Sequence, residues 1–129
     1  MLLGHKRLDT TTLYAAVATD LRSLRPDVVV ANEQEAAAMG SWMSPESLGA
    51  GIVVVKHGSR PAVVSEAGGV EISVPAVHLP DVRDTTGAGD AFAAGLLCAL
   101  AEGASPAEAC TAAHRVAADA VSRASADRG

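Results

Sequence analysis

The chain alternates between two kinds of apolar pattern. From Asp9, the residues Leu13, Val17, Leu21 and Leu24 fall at spacings of four, four and three, which predicts a covering helix with Asp9 or Thr10 as its cap and Pro26 as its stop. Val28-Val29-Val30-Ala31 is an unbroken, mostly β-branched run, which predicts a strand buried on both faces, as in a parallel sheet. A short Ala-rich helix then runs on to Gly40, and Ser44-Pro45-Glu46 opens a brief helical turn with Ser as cap and Pro at the first position. Ile52 to Lys56 is a second buried strand. Pro61–Ser65 and Val70–Val74, separated by a turn at Glu66-Ala67-Gly68-Gly69, predict a hairpin at the sheet edge. Pro75 to Arg83 reads as a loop with one more extended piece that carries His78. A helix follows from about Ala88 to Glu102, stopped by Gly103. Another runs from the capping box Ser105-Pro106-Ala107-Glu108 to about Arg123, and Ala124 to Gly129 read as a disordered tail. Strands alternating with helices imply an α/β fold, in one domain spanning 1–129.

Composition narrows the picture. Of 129 residues, 49% are hydrophobic but only three are aromatic (one Trp, one Tyr, one Phe), so the core is Ala, Val and Leu packed closely, as helices against a sheet. The formal net charge is −5, and no run of Lys or Arg is long enough to track a phosphate backbone, which argues against nucleic-acid binding. Cys98 and Cys110 lie in Ala-rich helical patterns, far from metal-ligand spacing, and read as reduced core residues. The opening apolar run is too short for a signal peptide, and no stretch approaches the ~20 apolar residues of a membrane span. A soluble, cytoplasmic protein is the expectation.

The chemistry concentrates at Asp84-Thr85-Thr86-Gly87-Ala88-Gly89-Asp90. Three small residues, Gly87, Ala88 and Gly89, open a helix, so their backbone N–H groups leave its N-terminus with little side chain in the way, a geometry that binds phosphate. Asp84 and Asp90 bracket the turn. Amides that hold phosphate beside an acid that can accept a hydroxyl proton point to phosphoryl transfer. The competing reading is ordinary capping, with an acidic residue favoured by the helix dipole. The same choice arises at Asn32-Glu33-Gln34-Glu35. Asn32 and Glu35 stand at the C-terminal end of a buried strand, where open α/β sheets place ligands, yet they also form a capping box.

The string Asp-Thr-x-Gly-Ala-Gly-Asp, three free positions, then Ala94-Gly95-Leu96-Leu97 resembles in full the C-terminal signature of the ribokinase-like, phosphofructokinase-B type carbohydrate kinases. Asn-x-x-Glu at a strand end is a second motif of that family, and Gly58 in His57-Gly58-Ser59-Arg60 resembles its glycine loop near the terminal phosphates of ATP. The resemblance runs from about Leu24 to Arg123 and implies a three-layer α/β/α fold with a mainly parallel sheet. It makes Asp90 the catalytic base and Gly87, Ala88 and Gly89 the anion hole. Asn32 and Glu35 then attend Mg2+, commonly through water, while Asp84 and Thr86 lie where a monovalent cation such as K+ is held. Lys56 and Arg60 could add charge, and His114 matches a position beside the adenine of ATP.

The sequence departs from the family at two places. Pro61 stands where Gly is usual, and Ala124-Ser125-Ala126 replaces a Gly-Ala pair that helps to hold the monovalent cation. The N-terminal half of the family, with its Gly-Gly sugar motif, first strands and lid, has no counterpart in this chain. One edge of the sheet should therefore be open and apolar, available to a homodimer partner or a complementing N-terminal half. Three readings follow: the ATP-side half of a sugar kinase whose acceptor is a sugar, a sugar acid or a nucleoside; a non-catalytic nucleotide-binding remnant; or a Rossmann-type dinucleotide module. The last is disfavoured, because the GxGxxG spacing and a ribose-binding acid about 20 residues on are missing.

Overall fold

The computed structural model describes residues 10–69, 71–77 and 87–128, with side chains from residue 17 to residue 123 within those ranges. Helix α1 (Thr10–Leu24) leads into strand β1 (Val28–Asn32), helix α2 (Glu33–Met39), a 3-10 turn at Gly40–Trp42 and helix α3 (Pro45–Leu48). Strands β2 (Ile52–His57), β3 (Arg60–Glu66) and β4 (Glu71–Val74) follow, then helices α4 (Ala88–Ala101) and α5 (Pro106–Arg128). The sheet order is β1-β2-β3-β4.

Side-chain alternation sorts the strands between two cores. Val28, Val30, Ile52 and Val54 face one side, where they meet Phe92 and Leu96 of α4 and Ala109, Cys110 and Ala113 of α5. Val29, Val53 and Val55 face the other, against Ala18 of α1, Met39 of α2 and Leu48 of α3. The sheet is thus sandwiched between helical layers, as period-two strands with two apolar faces require.

Several expectations need correction. Only β1 and β2 pair in parallel; β2–β3 and β3–β4 are antiparallel, so the described sheet is mixed, not mainly parallel. The cause is local: β2 and β3 are joined by Gly58 and Ser59 alone, and a two-residue connection can only reverse the chain. The apolar stripe of α1 is also rotated from its expected position. Ala18 is buried, while Val17 and Leu24 are exposed, Leu24 at 76%. Finally, Cys98 is exposed rather than in the core. It shares the outer face of α4 with Ala94 and Leu97, opposite buried Leu96.

β1 and β4 are the edge strands among the described residues, and Val28, Val29 and Val30 are only half-buried, unlike a strand covered on both faces. α5 continues to Arg128 instead of stopping at Arg123. Pro61 finds a place without strain on the ladder: the register slips between Val55–Val63 and His57–Arg60, so Pro61 and Ala62 together oppose Lys56 in a bulge, where a missing N–H costs no ladder bond.

The two thiols should behave differently. Burial pushes the Cys110 thiol up to about 11, which leaves it protonated and inert at neutral pH, whereas Cys98 is open to solvent. Titration with a chromogenic disulfide reagent is expected to show one fast thiol, lost in Cys98→Ser, and a second that reacts only as the fold opens.

Candidate functional site

The ends of β1 and β2 set the first wall. Parallel pairing puts Asn32 directly opposite Lys56, so the last residues of both strands arrive side by side. Asn32 then caps α2: its Oδ1 accepts from the Glu35 N–H at 2.8 Å, and Glu35 Oε1 accepts from the Asn32 N–H at 2.9 Å. The reciprocal capping box foreseen in the sequence is therefore formed.

The second wall is the start of α4. Gly87 is its N-cap with φ 82°, a left-handed conformation that a side chain would resist. Among the described residues no side chain caps the amides of the first turn. Lys56 reaches across to this end: a Cβ built on Gly89 would lie 3.1 Å from Lys56 Nζ, and the same ammonium stands 5.4 Å from the centroid of Phe92. Among the described residues Lys56 makes no ion pair. A cation held against the positive end of a helix is electrostatically unfavourable unless an anion lies between them.

Between these walls is a cleft of about 600 Å3. Asn32, Glu33 and Gln34 line it from the β1–α2 junction, Lys56 and Gly58 from the β2 end, Ala88, Gly89 and Phe92 from α4, and His114 and Ala117 from α5. His114 is 8% exposed, and its ring meets Phe92 edge-on at 5.1 Å. Among the described residues Nε2 has no hydrogen-bond partner, so the bond to the Val74 backbone falls to Nδ1. A neutral ring that donates from Nδ1 leaves Nε2 as a buried acceptor.

Burial holds the His114 pKa below its ordinary 6.5, with the Val74 bond opposing. Folding thus disfavours its protonation, and the unfolded chain binds more protons just below pH 6.5. Stability is fully present above that pH and is lost as pH falls through the window beneath it, by at most about 1.4 kcal/mol per pH unit. Thermal melts from pH 7.5 to 5 should show a fall in Tm that is shallower in His114→Gln.

Of the residues singled out from the sequence, Asn32, Lys56, Gly58, Ala88, Gly89 and His114 converge on this cleft. Glu35 and Asp90 are exposed and stand outside its lining, as does Gly87. Asp84, Thr86 and His78 lie outside the described residues. Arg60 is exposed and turned to Glu33 instead of the cleft. Glu33, Gln34, Phe92 and Ala117 were missed. Phe92 reads in the sequence as core, and nothing in periodicity marks a core ring as a cleft wall.

Among the described residues no group of three His, Cys, Asp or Glu side chains comes together as a metal site, and no helix is long and apolar enough to cross a membrane.

The profile of the pfkB family carbohydrate kinases matches residues 8–129. The 2-dehydro-3-deoxygluconokinase of Escherichia coli (strain K12) is 47% identical over 64 residues, which are 48% of this chain and 21% of that protein. The enzyme of the same name from Dickeya dadantii (strain 3937) is 43% identical over 70 residues, 51% of this chain and 23% of its own. Among solved structures, adenosine kinase from Sinorhizobium meliloti superposes with a TM-score of 0.72 at 29% identity, over 83% of this chain and 34% of that one. Aminoimidazole riboside kinase from Salmonella enterica gives 0.68 at 29% identity, over 93% of this chain and 43% of that one. The chain therefore spans well under half the length of these relatives. The mixed sheet between helical layers, the uncapped glycine turn facing a strand-end lysine and the family match over residues 8–129 lead to one conclusion: the chain belongs to the pfkB family of carbohydrate kinases.

Proposed function

We propose that this chain forms the ATP side of a kinase that transfers the γ-phosphoryl group of ATP to a hydroxyl of a sugar or sugar-like acceptor. The observation that carries the reading is the approach of Lys56 to the start of α4 at Gly89, two positive elements brought together at one end of the cleft. In this reading the phosphates lie in the cleft against the amides of Gly87, Ala88 and Gly89, with Lys56 and the Gly58 turn on the opposite side. The base runs toward Phe92 and His114, where Nε2 is an acceptor suited to an amino group.

Asp90 is the general base. It takes the proton of the acceptor hydroxyl as that oxygen bonds to the γ-phosphorus, while the bond from phosphorus to the ADP oxygen breaks and ADP leaves with the electron pair. The position of Asp90 in the first turn of α4, outside the cleft lining, supports this role, since in-line transfer needs the acceptor on the far side of the phosphoryl group from ADP. Charge that spreads over the transferred oxygens meets the helix amides, usually the largest single contribution to such catalysis.

The donor set suits Mg2+ carried on the phosphates rather than a protein cage: Glu35 has one oxygen engaged in its cap, Asn32 is beside it, and Mg2+ typically keeps several waters. Mg2+ would neutralise phosphate charge there. Asp84 and Thr86 are proposed for a monovalent cation such as K+, on the resemblance alone.

A 2-dehydro-3-deoxy sugar acid is the acceptor class we favour, because the curated relatives with 43–47% local identity carry that activity in their names. The acceptor side would come from a complementing N-terminal half or a second copy along β1. A second reading is a nucleotide-binding remnant, which keeps the cleft of Lys56, Gly89 and His114 without transfer to an acceptor. Radiolabel transfer from γ-labelled ATP to 2-dehydro-3-deoxygluconate, ribose, fructose and adenosine separates the two. Label on the sugar acid supports the kinase reading. ATP binding without label on any acceptor supports the remnant.

A further inference from the structure

The cleft has a second face. β2 alternates, so Lys56 is directed to the α4 side, and its neighbour His57 to the α2 side with Val53 and Val55. On that side stands Glu33, the first residue of α2. Its neighbour Glu35 completes the capping box, so the Glu33 carboxylate is free for other partners. It takes two, 24 and 27 positions away in sequence: Glu33 Oε2 accepts from His57 Nδ1 at 3.1 Å and from Arg60 Nη2. These two donors bracket Gly58 and Ser59, the whole of the β2–β3 turn. Gly58 has φ +64°, and a Cβ built on it would meet nothing within 4 Å.

We infer that Glu33 is a positioning residue, which clamps the 57–60 turn and so fixes Lys56 and Gly58 in the nucleotide cleft. The inference rests on the proposed nucleotide site and gives a role to Glu33, a position that the Asn-x-x-Glu motif leaves free. His57 and Arg60 lower the Glu33 pKa, the hydrogen bond from His57 first, so the clamp is charged at neutral pH. All three groups are partly or largely exposed, so the clamp adds little to global stability. Its effect is local: it removes freedom from a two-residue turn that would otherwise have to be ordered when phosphate binds.

Direct electrostatics makes the opposite prediction. Glu33 lines the cleft, and its negative charge repels phosphate, so removal of that charge with no clamp at stake would tighten nucleotide binding. The test is MgATP titration by calorimetry of the purified chain as wild type, Glu33→Gln, Arg60→Gln and the double variant, with amide hydrogen exchange at residues 57–60. The clamp predicts that each single variant weakens MgATP about 5–10-fold and accelerates exchange in the turn. The double variant should be no weaker than either single, since one tie is lost only once. Tm should move by no more than a few degrees, as for an exposed ion pair. A wild-type chain that takes up no MgATP would overturn the nucleotide site itself. Normal wild-type binding with Glu33→Gln equal or tighter, unchanged exchange, or additive losses in the double variant would overturn the clamp alone.

Discussion

Asp90→Asn, made in the complete kinase, is expected to lower kcat by about 10²–10⁴-fold, the usual contribution of a positioned general base, while the affinity for MgATP stays within about twofold. The split follows from where Asp90 sits. It is exposed in the first turn of α4 and outside the cleft that Lys56, Gly89 and His114 line, so its loss touches the acceptor proton and not the nucleotide. Asn keeps the size and much of the helix-start preference of Asp, so stability should change by no more than about 1 kcal/mol. Steady-state kinetics with both substrates varied, together with calorimetry of MgATP binding, checks it. An Asp90→Asn enzyme with wild-type kcat would remove the base assignment.

Gly95→Val should be strongly destabilising. Gly95 is the crossing point of α4 and α5: a Cβ there would lie 3.0 Å from Val116 Cβ and 3.2 Å from Ala113 Cα. Both atoms are tied to the backbone of α5 and cannot step aside by a rotamer change, so the helices must separate over buried Leu96, Ala109, Cys110 and Ala113. Over-packing of this kind costs about 1–3 kcal/mol, and a β-branched side chain with two further methyls belongs at the top of that range. For a chain of this size the expected fall in Tm is on the order of 10 °C. Ala94→Leu, on the exposed face one residue away, is the control and should change Tm by only a degree or two. A Gly95→Val chain that melts with wild type would mean that the helices are not in close contact there.

Gly95 also shows what the sequence could and could not convey. Its place in the string from Asp84 to Leu97 was legible as a family resemblance, but the physical reason, a helix crossing without room for a methyl, lies in the distance between α4 and α5. Strand ends were readable because Val28–Ala31 and Ile52–Lys56 stop at polar residues, and that brought Asn32 and Lys56 to one edge. Local hydrogen bonds were readable too. The Asn32–Glu35 and Ser105–Glu108 boxes need only three residues of spacing.

Contacts distant in sequence were not readable. Glu33 meets His57 and Arg60 across 24 and 27 positions, and no spacing rule links them. The rotation of α1 had a similar cause. Several apolar residues offer more than one stripe, and burial of Ala18 with Leu21 beside it wins because Met39, Leu48 and Val53 lie on that side. The expectation of a mainly parallel sheet rested on the unbroken apolar runs as well as on the resemblance; it holds for β1 and β2, and the two-residue turn at Gly58-Ser59 decides otherwise for β3.

The central claim is that the start of α4 and the end of β2 together bind the phosphates of ATP. The most direct measurement is the amide spectrum of isotope-labelled chain as MgATP is added. Saturable shifts at Gly87, Ala88 and Gly89, together with Lys56 and Gly58, are predicted. No shift, or shifts confined to residues away from both walls of the cleft, would contradict it.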